Sequence, residues 1–169
     1  MHCDAIILGA GAAGLMCAMT AARRGFACAV IEHGPVAGRK VRLAGGGKGN
    51  VTNRFIGPEW YIGGKGFPDA VLRRCPTDFV LDLLRRFAIP WEEREYGQIF
   101  CTVQAVRLVE GLVGECREHG VRLFLQQQAE IRHEDGLFTA ELAHGKVTAP
   151  RLVIATGSPA WPSCGATDD

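Results

Sequence analysis

The stretch Asp4 to Glu32, DAIILGAGAAGLMCAMTAARRGFACAVIE, leaves this chain few folds to adopt. Ala5 to Leu8 is a short apolar run suited to a buried parallel strand. Gly9, Gly11 and Gly14 follow at once with the spacing G-x-G-x-x-G. Leu15 to Arg24 reads as a helix rich in Ala, Leu and Met, which Gly25 can end. Phe26 to Ile31 is a second apolar run, closed by Glu32. This is a βαβ unit carrying a dinucleotide fingerprint. Gly9 permits the tight turn out of the strand, Gly11 lets backbone approach a pyrophosphate, and Gly14 lets helix and strand pack closely. The unpaired N–H groups at the helix start supply an anion site. Glu32 lies 18 residues beyond Gly14, where a carboxylate can take both hydroxyls of an adenosine ribose. The spacing alone recurs in ordinary glycine-rich turns; the strand before it, the helix after it and the acid beyond give it meaning.

The same region invites a competing reading, because Ala5 to Ala22 is 18 residues without a charge. A signal peptide wants a basic start, and this chain starts Met-His-Cys-Asp. Three glycines early in the run fit a turn better than a spanning helix. The 169 residues suggest one domain, and an apolar content of 47% suffices for a packed core. The net charge of +1, without blocks of like charge, gives no sign of a nucleic-acid or anionic-membrane partner. Seven scattered cysteines, with no C-x-x-C, suggest reduced thiols and a cytoplasmic location. The five histidines show no metal-ligand spacing, so no metal is expected.

After Glu32 a loop carries His33, Gly34, Pro35, Gly38, Arg39 and Lys40, and Val41 to Leu43 leads into GGGKGNVTN at 45 to 53. Consecutive glycines followed by Lys48 suit a backbone that must hug a ligand, with Lys48, or Arg39 and Lys40, neutralising phosphate. The alternative is a mobile surface loop with solvated cations. Residues 54 to 76 are rich in Gly, Pro and aromatics; Phe55, Trp60, Tyr61 and Phe67 are expected to pack an irregular excursion rather than to stack on a substrate. Thr77 is expected to cap a helix to about Phe87, with Phe79, Val80, Leu83, Leu84 and Phe87 as its apolar stripe. Pro90 stops it. Trp91 to Arg94 and Gln98 to Thr102 read as short strands around Gly97. A second amphipathic helix spans Gln104 to His119, burying Ala105, Leu108, Val109, Leu112, Val113 and Cys116, with Gly120 as its C-cap. Val121 to Leu125 is a strand. Ala129 to His133, Leu137 to Leu142 and Lys146 to Ala149 form a three-stranded meander, turned at Asp135-Gly136 and His144-Gly145. Arg151 to Ala155 is a last strand, running into Thr156-Gly157 and an aperiodic tail.

These residues resemble the N-terminal part of the bacterial flavoproteins of the BaiN/YhiN type, often called aminoacetone oxidase-like. The resemblance covers essentially the whole chain. It rests on GAGAAGL at 9 to 15, Glu32, GRK at 38 to 40, GGGKGNVTN at 45 to 53, the Gly97-to-Phe100 turn, ATG at 155 to 157 and the Pro162-to-Thr167 tail. It implies an α/β, glutathione-reductase-like FAD/NAD(P)-binding Rossmann-type fold with a parallel sheet, helices and a β-meander. It implies further that Gly9, Ala10, Gly11, Ala12, Ala13 and Gly14 bind the FAD pyrophosphate, and that Glu32, with His33 beside it, binds the ribose. Gly38, Arg39, Lys40, Gly46, Gly47 and Lys48 would flank the diphosphate and flavin. Backbone near Ala129 would meet adenine, while Ala155, Thr156 and Gly157 close over the cofactor.

The chain departs from the family where Gly49 replaces the usual Cys of the glycine loop, and where the tail reads Thr167-Asp168-Asp169 in place of T-G-D-G. Residues 1–169 are therefore expected to be the N-terminal portion of an FAD-binding domain, with an excursion over about 54–103. The substrate domain and the returning C-terminal FAD segment would lie outside it. The expected function is that of an FAD-dependent oxidoreductase part, serving a small-molecule substrate and, in a full-length protein, NAD(P)H. No catalytic residue is assigned; Cys164 is the nearest candidate for a reactive thiol, and an idle cysteine is the simpler reading. An NAD-dependent dehydrogenase domain and a non-catalytic nucleotide-binding remnant are the alternatives. Apolar surface left uncovered would favour self-association.

Overall fold

The computed structural model describes residues 1–62 and 66–158. The Pro162-to-Thr167 tail and Cys164 lie outside them. The described chain divides into two units, residues 1–41 with 109–158 and residues 42–108, whose boundaries fall inside helices α2 (Arg39–Leu43) and α5 (Val106–Glu118).

In the first unit, β1 (Ala5–Leu8), β2 (Cys28–Ile31), β6 (Arg122–Phe124) and β10 (Leu152–Ile154) form one parallel sheet in the order β10-β1-β2-β6. Ile7 sits opposite Val30 on β2 and Val153 on β10. The two central strands, β1 and β2, are buried almost throughout, which is why they read as unbroken apolar runs rather than alternating ones. On one face Cys3, Ile6, Ala29 and Ile31 pack against Ala140, Val147 and Ala149 of the antiparallel meander β7 (Glu130–Glu134), β8 (Leu137–Leu142) and β9 (Gly145–Ala149). Asp135 and Gly136 both have positive φ, 51° and 75°, as a two-residue type I′ hairpin requires. The other layer holds α1 (Ala12–Ala22), which buries Leu15, Ala18, Met19 and Ala22, and α5, whose Cys116 thiol donates to the Leu15 carbonyl. Helix α1 starts three residues earlier than its apolar run suggests, because Gly14 is a helical residue rather than part of the turn.

The second unit contains an antiparallel sheet of β3 (Asn50–Asn53), β5 (Gln98–Cys101) and β4 (Trp91–Glu93) in the order β3-β5-β4. The glycine loop is folded back on itself: Gly45, Gly46 and Gly47 have φ between 58° and 86°, and the Gly49 N–H donates to the Ala44 carbonyl. Helices α3 (Phe67–Arg74) and α4 (Thr77–Arg86) follow.

Four expectations in this unit need correction. Thr77 is not a cap: Pro76 occupies that position, and the Thr77 hydroxyl donates to the Asn53 carbonyl at 2.8 Å, tying α4 to β3. The buried stripe of α4 contains Leu81 with Leu83 and Leu84, whereas Phe79 is exposed. Residues 67–74 are helical, Pro68 being tolerated in the first turn where no N–H partner exists. The aromatics Phe55, Trp60, Tyr61 and Phe67 do not pack the excursion down; all four are exposed.

Candidate dinucleotide site

At the C-terminal ends of β1 and β10 lies a cavity of about 230 Å³. This is the carboxyl edge of a parallel sheet, where ligands of open α/β folds bind. The chain leaves β1 through Gly9, whose N–H donates to the Ile31 carbonyl at 2.7 Å. Gly9 has φ +99°, and a Cβ there would stand 2.5 Å from the Ala155 carbonyl oxygen. A Cβ on Gly14 would overlap the Gly9 carbonyl oxygen. Both positions are glycine because backbone meets backbone. Gly11 differs: its φ is −76°, and an added Cβ would meet nothing within 4 Å. The room beside Gly11 is room in the cavity.

Helix α1 begins immediately after Gly11. No side chain caps it, and no acid lies in its first turn, so its leading N–H groups and positive dipole end serve the cavity that Gly11, Ala12 and Ala13 line. Ala10 is fully buried, and its N–H is already committed to Glu32 Oε2 at 2.8 Å.

Glu32 ends β2 with only 8% exposure. Its Oε1 accepts the Gly34 N–H at 2.8 Å and stands 3.3 Å from His33 Nδ1. The carboxylate therefore bridges the turns after β1 and β2. Two oxygens offer about four lone-pair sites, so capacity remains for ribose hydroxyls. Arg39 and Lys40 supply positive charge along the cavity wall, and Lys40 Nζ donates to the Ser158 carbonyl at 2.6 Å. Gly38 joins this wall to the first turn, its N–H donating to the Ala10 carbonyl at 2.8 Å. Ala155, Thr156 and Gly157, beyond β10, complete the lining.

Of the residues expected at the site, the cavity thus brings together Gly9 to Ala13, Glu32, His33, Gly38 to Lys40 and Ala155 to Gly157. Gly14 stands behind it as packing. Ala129 lies half-buried against the meander cluster and does not line it. Gly46, Gly47 and Lys48 belong to the second unit. Val41 of α2 lines the cavity without having been expected there; as an ordinary apolar residue among polar ones it carries no sequence signal. The second unit has its own recess of about 240 Å³, bounded by Arg54, Leu72 and Thr77 among others. Among the described residues no group of three or more His, Cys, Asp or Glu could hold a metal, and no helix is long and apolar enough to cross a membrane.

The glycine oxidase of Geobacillus kaustophilus shares the fold, with a TM-score of 0.65 at 16% identity, over 93% of this chain and 56% of that one. A protein of Escherichia coli K12 named ribosomal RNA dihydrouridine synthase is 36% identical over 167 residues, 97% of this chain and 42% of that protein. Its namesake in Haemophilus influenzae is 32% identical over 172 residues, 98% and 43%. The chain thus spans less than half the length of these relatives. The family profile described as "HI0933-like protein Rossmann domain" matches residues 3–169, and the chain belongs to that family.

Proposed function

We propose that this chain is the FAD-binding part of a flavin-dependent oxidoreductase, and that the whole enzyme reduces a uridine of ribosomal RNA. The observation that carries the flavin reading is the cavity in which the α1 N-terminus, Glu32 and the Arg39–Lys40 pair meet. A dinucleotide needs an anion site, a ribose acceptor and a close backbone approach, and these residues offer all three. The room beside Gly11, which a single Cβ would begin to fill, fits a pyrophosphate.

In this reading the α1 N–H groups with Arg39 and Lys40 hold the pyrophosphate, and Glu32 accepts hydrogen bonds from the adenosine ribose. Ala155 to Gly157 fix the cofactor from the β10 side. Bound FAD supplies two-electron hydride chemistry. Reduction of a uridine adds a hydride and a proton across its C5–C6 double bond, and NAD(P)H is the electron donor we assign. The substrate assignment rests on the relatives named for that product, at 36% and 32% identity. It differs from the small-molecule substrate expected from the sequence.

Titration of the purified protein with FAD tests the cofactor. Binding appears as flavin absorbance near roughly 450 nm moving with the protein, a property of flavins that NAD lacks. Binding of NAD in its place, with no affinity for FAD, would replace this reading by the dehydrogenase one.

A further inference from the structure

Charge and aromatic exposure are distributed unequally between the two units. Residues 42–108 carry ten lysines and arginines against seven aspartates and glutamates, a net +3, while the remaining residues sum to −2. The same unit exposes nearly all the exposed aromatics among the described residues. Trp60 is 73% exposed, Phe67 72% and Tyr96 84%, with Phe55 and Tyr61 also in solvent. Helix α3 buries no residue at all. Its positions 67, 71 and 74 follow helical spacing, so Phe67, Val71 and Arg74 share one face. The turn Pro58–Trp60 lies against this helix. Arg73 and Arg74 close α3, both exposed, and neither forms an ion pair among the described residues.

Exposed aromatic rings in a unit that also carries unengaged guanidinium groups are poor protein surface and good single-strand surface. Each base offers a face on which a ring can stack, and each phosphate a charge for an arginine. We propose that Trp60, Phe67, Arg73 and Arg74 form a contact surface for single-stranded RNA. This deepens the uridine-reductase reading and rests on it, since the substrate proposed there is an RNA. A strand laid along this face of α3 would stack on Phe67 and place a phosphate at Arg74, with Trp60 and Arg73 flanking it.

The test is fluorescence anisotropy of a labelled single-stranded oligouridine with the full 169-residue protein, in parallel with the FAD titration and with size-exclusion chromatography. All four side chains are exposed, so their removal leaves the core untouched. Trp60→Ala and Phe67→Ala are each expected to weaken RNA binding by roughly 5- to 100-fold, the range for loss of one stacked base. Arg73→Ala with Arg74→Ala is expected to flatten the salt dependence by about 0.7 per cation in log–log slope. FAD affinity should not change in any of them. Absent RNA binding, or binding equal in all variants, overturns the proposal. So does self-association of the wild type that Trp60→Ala and Phe67→Ala abolish while RNA binding is unaltered, which would make this a protein-docking face. RNA binding by a protein with no FAD affinity would overturn the flavoprotein reading and leave this surface standing. FAD binding without RNA binding would do the reverse.

Discussion

Glu32 joins two roles that the sequence presents as one. Its position after β2 fits the ribose acceptor proposed above, but its oxygens also accept the N–H groups of Ala10 and Gly34. Glu32→Ala should therefore weaken FAD binding by about 1–3 kcal/mol and also lower stability, because buried donors lose their acceptor. Equal FAD affinity in the two proteins would remove Glu32 from the site. The glycines separate the same way. Gly14→Ala places a methyl against the Gly9 carbonyl and should cost at least about 1–3 kcal/mol in a denaturant titration. An unchanged midpoint would mean that α1 and β1 do not pack as described. The tight packing at Gly9 and Gly14 was legible in advance because backbone proximity leaves only one residue type. The bond from Ala10 to Glu32 was not, since a backbone donor has no sequence signature.

At the scale of elements, the parallel strands, the meander and α5 were legible from unbroken apolar runs, an Asp-Gly turn and helical periodicity. The stretch from residue 54 to 76 was not. Its Gly and Pro content hid α3, and aromatic residues were expected to be buried because they usually are. Cysteines in the regular elements give a pH prediction. Burial pushes the Cys28 thiol on β2 up to about 11 from an ordinary 9.0, with Cys17 and Cys3 nearby adding to it, and burial likewise raises Cys116 on α5 to about 11, helped by Glu115. Below pH 9 both folded and unfolded chains keep these protons. Above it the unfolded chain releases them first, so stability falls as pH rises from about 9 towards about 11. Replacing Cys28 and Cys116 together by Ala should flatten that part of the stability–pH curve. An unaltered slope would show that the thiols are not buried as placed.

At the scale of the whole molecule, the residues proposed to hold adenosine and pyrophosphate line one cavity in one unit, while the matched relatives are more than twice as long. A flavin ring resting on these residues alone loses apolar contact worth roughly 25 cal/mol per Å² left wet. The 169-residue chain should accordingly hold FAD weakly, release it on gel filtration and turn over no substrate by itself. A monomer carrying one tightly held FAD through the column would show that these residues form a complete site.

If the dinucleotide lies in the cavity beside Gly11, Gly11→Val should abolish its binding. Gly11 has a backbone conformation open to valine, and an added Cβ meets no protein atom within 4 Å beyond its chain neighbours, so the variant should keep its fold with at most a small loss from the poorer N-cap. The same side chain occupies the space that the pyrophosphate must enter. Titrating both proteins with FAD should give saturable binding to the wild type and its loss in Gly11→Val, with the variant still folded. A stable Gly11→Val that binds FAD as the wild type does would place the phosphates elsewhere and contradict this reading.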